Sequence, residues 1–323
     1  MKRGDGMVIL VTGGAGFIGS HLCGRLLREG HRVVCLDNFD DFYNPEIKRR
    51  NIQEVIGEEQ FELIEGDIRD TQLIARIFRG QAFDVVVHLA ARAGVRPSID
   101  YPKLYEEVNV QGTINLLESC REFGIKSFVF ASSSSVYGGN SKVPFSEEDR
   151  VETPISPYGT TKRAGELFCY SYHHLFNINI TCLRYFTVYG PRQRPEMAIH
   201  RFTRLIDGSE MVPMYGDGQS MRDYTYIDDI IDGTLEAISR NKGYEIYNLG
   251  ESCTIRLIDL IRMLEETLGK KAIIEGWPEQ RGDMPITYAN IEKARKKLGY
   301  TPRVSMEEGI GRFVEWYRQN RFP

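Results

Sequence analysis

The sequence predicts an α/β fold, a doubly wound parallel sheet joined to a smaller C-terminal α/β lobe, and three observations carry that expectation. Over residues 1–185, short apolar runs rich in β-branched residues alternate with segments of helical spacing. The first run passes directly into a glycine-rich turn, Gly13 to Gly19. After Arg184 the punctuation changes, and Pro and Gly cut the remainder into short pieces.

Taken in order, the strands are expected at Val8 to Val11, Arg32 to Leu36, Phe61 to Ile64, Val85 to Leu89 and Phe128 to Ala131. Each is apolar at successive positions, as a strand covered by helices on both faces must be. Helices fit between them at Ile18 to Arg28, Leu73 to Phe78 and Leu104 to Phe123, which makes the connections crossovers and the sheet parallel. A long amphipathic helix from about Tyr158 to Phe176, with Ser156 and Pro157 at its start, leads into a sixth strand, Ile178 to Leu183. This is a Rossmann-type pattern. Beyond it, Gly190-Pro191, Pro195, Pro213, Gly216, Gly218, Pro278, Gly282 and Pro285 fit a smaller lobe of loops and helices.

Composition narrows the partners. The 41 basic and 45 acidic residues are interspersed, with no polybasic arm or stripe, so nucleic acid and anionic membrane surfaces are not expected partners and a small molecule is. Met7 to Thr12 is too short to cross a bilayer and reads as a strand and not a signal peptide, which suggests a cytoplasmic protein. Six scattered cysteines without a C-x-x-C pair read as reduced core thiols, and the histidines show no metal-ligand spacing.

The glycine turn satisfies G-x-x-G-x-x-G from Gly13 and G-x-G-x-x-G from Gly14. A strand before it and a helix after it are what let bare N–H groups and the helix dipole meet a pyrophosphate, so Gly13, Gly16, Phe17, Ile18 and Gly19 are candidate cofactor residues. Asp37 ends the next strand, placed to accept from adenosine ribose hydroxyls and to repel a 2′-phosphate. Asn38 follows it without an arginine, so the expected cofactor is NAD. Asp67 and Ile68 fit beside the adenine, and Leu89, Ala90 and Ala91 permit close approach at another strand end.

Tyr158 and Lys162 stand one helical turn apart. A phenol with a pKa of about 10 is a poor base at neutral pH. An ammonium on the same helical face, together with a positive nicotinamide ring, would lower it. The strand before this helix ends in Ser132, Ser133, Ser134 and Ser135, hydroxyls at the edge where such a sheet opens its crevice, and Ser133 is placed to share the reacting proton.

These motifs, with Arg184-Tyr185-Phe186-Thr187-Val188-Tyr189-Gly190-Pro191, resemble the extended short-chain dehydrogenase/reductase family over nearly the whole chain. Within it, Ala91-Arg92-Ala93-Gly94-Val95-Arg96-Pro97-Ser98 and Gly190-Pro191-Arg192-Gln193-Arg194-Pro195 look most like nucleotide-sugar 4-epimerases, particularly those acting on UDP-glucuronate. The resemblance implies that Tyr158 takes the proton of the sugar 4-hydroxyl while hydride leaves C4, and that hydride returns to the other face of a 4-keto intermediate. It implies an NAD-binding domain over residues 1–185, with Tyr158, Lys162 and Tyr185 also against the cofactor, and a UDP-sugar-binding domain over residues 186–323. Whether residues 224–250 return to the first domain is left open. Arg222 and Arg281 match arginines that hold the pyrophosphate, and Tyr215 an aromatic beside the uracil. Thr187 stands where many UDP-glucose 4-epimerases carry asparagine. Together with Ser134, Ser135, Arg192 and Arg194 it suits a uronate carboxylate. The helices Leu104 to Phe123 and Tyr158 to Phe176 match those through which relatives form homodimers.

Two rivals remain at this stage. One keeps the fold and interconverts UDP-glucose and UDP-galactose; the other is a non-catalytic NAD-binding scaffold or redox sensor. A dehydratase fits less well, because Ser134 and Ser135 replace the acidic pair of those relatives.

Overall fold

A computed structural model of the chain describes residues 6–279, 282 and 284–321. Among these, seven strands form one parallel sheet: β1 (Val8–Thr12), β2 (Arg32–Asp37), β3 (Phe61–Glu65), β4 (Val85–His88), β5 (Ser127–Ser133), β6 (Asn179–Tyr185) and the segment Tyr244–Leu249. The order across the sheet is β3-β2-β1-β4-β5-β6, with Tyr244–Leu249 added outside β6 in register Tyr244↔Ile180 to Leu249↔Tyr185. The chain leaves β1 toward β2 and β3, then returns to β4 on the other side. The carboxyl ends of β1 and β4 therefore flank a topological switch point, where sheets of this kind open a ligand crevice.

Alternation along the strands builds two cores. Ile9, Val11, Val33, Cys35, Val85 and Val87 enter one, while Leu10, Val34, Leu36, Val86, Phe128 and Phe130 enter the other. His88 at the end of β4 is buried between Thr12 Oγ1 (2.8 Å) and Thr113 Oγ1 (2.9 Å). Burial, with the Lys162 charge acting the same way, takes its pKa down to about 3, so it is a neutral tie across the switch point.

The helices start where the sequence supplies caps. Asp70 accepts from the N–H groups of Gln72 and Leu73 at the head of Thr71–Gly80. Ser156 accepts from Gly159 N at 3.1 Å at the head of Pro157–Phe176, whose first residue is a proline. The expected single helix over Leu104 to Phe123 is instead Pro102–Glu106, one π turn at Glu107–Gln111 and then Gly112–Phe123. The extra residue in that turn accompanies a buried Asn109.

The C-terminal lobe holds more strand than its loop-like punctuation suggests. Thr187–Tyr189 and Thr254–Arg256 flank Met221–Tyr226 in a small sheet, and Met211–Tyr215 pairs parallel with Ile273–Trp277. Five cysteines are buried free thiols, but Cys253 is exposed, which corrects its reading as a core residue. Among the described residues, no helix is long and apolar enough to cross a membrane.

Candidate active site

The turn after β1 is built so tightly that only glycine fits. Gly13 has φ +70, and a Cβ there would lie 2.7 Å from Ala90 N; a Cβ on Gly19 would lie 2.2 Å from Gly13 O. The helix Phe17–Arg28 therefore starts hard against the end of β4. Gly16 caps it with no side-chain hydrogen bond, which leaves its first N–H groups for an anion. Asp37 is nearly buried beside this turn. Its Oδ2 accepts from Ala15 N at 3.1 Å and its Oδ1 from Phe39 N at 2.9 Å, with Lys48 Nζ at 3.4 Å. Asn38 donates to Asp67 at 2.9 Å. Burial pushes the Asp67 carboxyl up, but the side chain and backbone N–H of Arg69, with Asn38, outweigh it and hold the pKa at about 2.

A cavity of about 390 Å³ opens at the switch point. Its cofactor-side wall takes in Gly13, Gly16, Phe17, Ile18 and Gly19, then Asp37 and Asn38, Asp67 and Ile68, and Leu89, Ala90 and Ala91. The opposite wall holds Ser133, Ser134, Ser135, Tyr158, Lys162, Tyr185, Thr187 and Arg194. Residues far apart in sequence thus meet in one crevice. A cradle that any Cβ would fill, an anion-ready helix start and a buried acid at the end of β2 together fit an adenine dinucleotide.

Tyr158 is half-buried, with its ring edge-on to Tyr105 at 6.3 Å. Desolvation raises its pKa above the ordinary phenol, while the nearby Ser133 hydroxyl and the charge of Arg194 act against that rise; Ser133 Oγ itself donates to Ser135 Oγ at 3.2 Å. Lys162 Nζ donates to Ala131 O at 2.6 Å and lies 5.1 Å from the Phe130 ring centroid. Burial lowers its pKa to about 8, with Cys169 and Glu166 acting the other way. In the protein alone the Lys162 ammonium is turned to the Ala131 carbonyl, one helical turn from Tyr158.

Residues 10–313 match the family model described as GDP-mannose 4,6 dehydratase. The chain belongs to this family, one of the extended short-chain dehydrogenases/reductases. Among family relatives, the UDP-glucuronate 4-epimerase of Thermodesulfobacterium geofontis is 44% identical over 312 residues, 96% of each chain. UDP-glucuronate 4-epimerase 4 of Arabidopsis thaliana is 40% identical over 333 residues, covering 97% of this chain and 76% of its own. The crystal structure of UDP-glucuronic acid 4-epimerase from Bacillus cereus, in complex with UDP-glucuronic acid and NAD, superposes with a TM-score of 0.91 at 41% identity. It covers 97% of this chain and 99% of that one.

Not every family position read from the sequence reaches the cavity wall. Arg192 has φ +65 and turns its guanidinium to Glu54 at 2.9 Å, outside the cavity, whereas Arg194 two residues on faces in. Tyr215 lies beyond the wall, with Arg96 4.6 Å from its ring centroid and Trp277 at 6.1 Å. Arg222 also lies beyond it and donates to the Met221 carbonyl at 2.9 Å. Arg281 is outside the described residues.

Sequence reasoning missed a group that does line the cavity: Asp40, Phe42, Tyr43, Lys48 and Arg92. Arg92 stands in the stretch Ala91 to Ser98 quoted above, and the one sequence signal of the others is nearness to Asp37. It also missed the layer beneath. Glu166 accepts from Ser132 Oγ (2.6 Å) and pairs with buried Arg184 (2.8 and 2.9 Å), which donates to Tyr137 OH at 3.0 Å; Tyr137 donates to Asn248 at 2.7 Å. This network ties the serine run to the helix carrying Tyr158 and to the seventh strand.

Proposed function

We propose that this chain is an NAD-dependent UDP-glucuronate 4-epimerase, interconverting UDP-glucuronate and UDP-galacturonate. One observation carries the reading: Arg194 lines the same cavity as Tyr158, Thr187, Ser134 and Ser135. A neutral hexose gives such a group nothing to pair with, whereas a carboxylate on sugar C5 does.

A bound nicotinamide supplies the acceptor, and later the donor, of the hydrogen at sugar C4. Tyr158 takes the proton from the 4-hydroxyl and returns it after the sugar has turned, with the Ser133 hydroxyl in the same cavity to share that proton. Arg194, Thr187, Ser134 and Ser135 fix the carboxylate. A 4-keto uronate is a β-keto acid, and a clamped carboxylate is kept out of the orientation that loses carbon dioxide. Gly13, Gly16, Phe17, Ile18, Gly19 and Asp37 would hold the cofactor, with Lys162 and Tyr185 also lining its cavity. Arg222 and Arg281 would hold the substrate pyrophosphate and Tyr215 the uracil. On this reading residues 1–185, joined by the strand Tyr244–Leu249 of the same sheet, serve NAD, and the rest of residues 186–323 the sugar nucleotide.

The proposal includes a cytoplasmic homodimer. Leu167, Phe168, Tyr170 and Leu175 are 51%, 36%, 52% and 65% exposed along one helix, an apolar stretch that a second copy would cover.

The test is product analysis by chromatography after incubation with UDP-glucuronate or UDP-glucose. UDP-galacturonate from the first, with little UDP-galactose from the second, is expected; the reverse preference refutes the substrate. Tyr158→Phe should lose roughly 10²- to 10⁴-fold in turnover and keep its NAD.

A further inference from the structure

The loop after β2 brings Phe42 into the cavity wall, within reach of two guanidinium groups. The Arg194 guanidinium carbon lies 5.8 Å from the ring centroid and that of Arg92 lies 5.1 Å from it. Both fall in the range where an aromatic face attracts a cation.

The ring is held from two directions. Asp40 Oδ1 accepts from Phe42 N at 2.9 Å and also pairs with Arg92. Asp40 N in turn donates to Asn38 Oδ1 at 3.0 Å, so the ring is anchored to the strand end that carries Asp37. On the other side, Asn109 grips the Arg92 backbone, accepting from Arg92 N at 2.8 Å and donating to Arg92 O at 3.0 Å. The same Asn109 amide donates to Thr161 Oγ1 at 3.0 Å, next to Lys162 on the helix that carries Tyr158.

Arg194 has little else to fix it. It sits on the loop between Thr187–Tyr189 and the helix Ala198–Asp207, and its ion-pair partner is Glu196, two residues away, at 3.1 Å. A long side chain so placed gains order from a rigid face beside it. Phe42 is only half-buried and outside the core clusters, so filling the core does not account for it.

We propose that Phe42 is a positioning residue for Arg194, and through it a determinant of the preference for a sugar acid over a neutral sugar. This rests on the reading of Arg194 as the partner of the substrate carboxylate.

The test uses purified enzyme with its NAD content measured, in five forms: wild type, Phe42→Leu, Phe42→Tyr, Arg194→Gln and the Phe42→Leu/Arg194→Gln double variant. Kd for UDP-glucuronate and for UDP is measured by calorimetry, alongside KM and kcat. Phe42→Leu should weaken UDP-glucuronate by roughly 2- to 30-fold, the span of a cation–π contact, and leave UDP affinity and NAD content unchanged. Phe42→Tyr, which keeps the ring face, should restore it. In the Arg194→Gln background Phe42→Leu should cost nothing more. Equal weakening of UDP and UDP-glucuronate, loss of NAD, or additive losses in the double variant each overturn the inference. If Arg194→Gln binds UDP-glucuronate as tightly as wild type, the reading of Arg194 falls and this inference with it. A weakened Arg194→Gln beside an unaffected Phe42→Leu refutes this inference alone.

Discussion

Lys162 gives the protein a charge that it is expensive to fold around, and Lys162→Met measures that expense. The residue is 4% exposed, and burial takes its pKa from 10.5 to about 8. At roughly 1.4 kcal/mol per pH unit, that gap makes the buried ammonium cost on the order of 3 kcal/mol at neutral pH. Methionine removes the charge at similar length, but it also removes the 2.6 Å hydrogen bond to Ala131 O, worth about 1 kcal/mol. The net is a variant more stable than wild type by about 2 kcal/mol. With an unfolding entropy of about 2.1 cal/mol/K per residue, that corresponds to a rise of about 3 °C in Tm.

The pH dependence fixes the sign. The folded pKa lies below the unfolded one, so between about pH 8 and 10.5 the unfolded chain keeps a proton that the folded chain has lost. Wild-type stability therefore gains on that of the variant through this window, and the advantage of the variant, full below pH 8, is gone by pH 10.5. Thermal unfolding of cofactor-stripped proteins at pH 7 and pH 10 checks this; stripping matters because bound NAD would add its own stabilisation. The same variant should lose turnover. A lower Tm for Lys162→Met at pH 7, or a difference that does not change with pH, would refute the reasoning.

Glu166→Gln should be strongly destabilising, by about 3–5 kcal/mol, because it leaves the buried Arg184 guanidinium without its carboxylate; chemical denaturation reads this. Arg192→Gln should leave turnover within about twofold, since Arg192 pairs with an exposed Glu54 outside the cavity, and exposed pairs contribute about 0–1 kcal/mol. Kinetics on UDP-glucuronate beside Arg194→Gln separate the two arginines. Leu167→Glu combined with Leu175→Glu should halve the mass seen by sedimentation, and an unchanged mass would sink the proposed dimer face.

The parallel sheet was legible because each buried strand had to be apolar on both faces and each crossover had to carry a helical stripe. The glycine turn was legible for a steric reason, the closeness of Gly13 and Gly19 to neighbouring backbone. The site's second wall was legible only in part. Arg192 and Arg194 look equivalent in sequence, and what separates them is the left-handed backbone at Arg192, which turns one outward and leaves the other inward. Arg92 and Asp40 are 52 positions apart, and their pairing depends on β2 and β4 flanking β1, which no local pattern states. The π turn at Glu107–Gln111 was invisible for a similar reason. Helical spacing runs through it, and its effect, a buried Asn109 clasping Arg92, appears only in three dimensions.

The surroundings of Tyr158 place a condition on the proposed chemistry. Desolvation raises the phenol pKa, and the Ser133 hydroxyl and the Arg194 charge oppose it. Once a sugar carboxylate pairs with Arg194, that contribution weakens. Tyr158 then ionises readily only while a further positive charge sits beside it, as an oxidised nicotinamide ring provides and a reduced one does not. The same residue is thus a base when the sugar hydroxyl must lose its proton, and an acid when the keto oxygen must regain one.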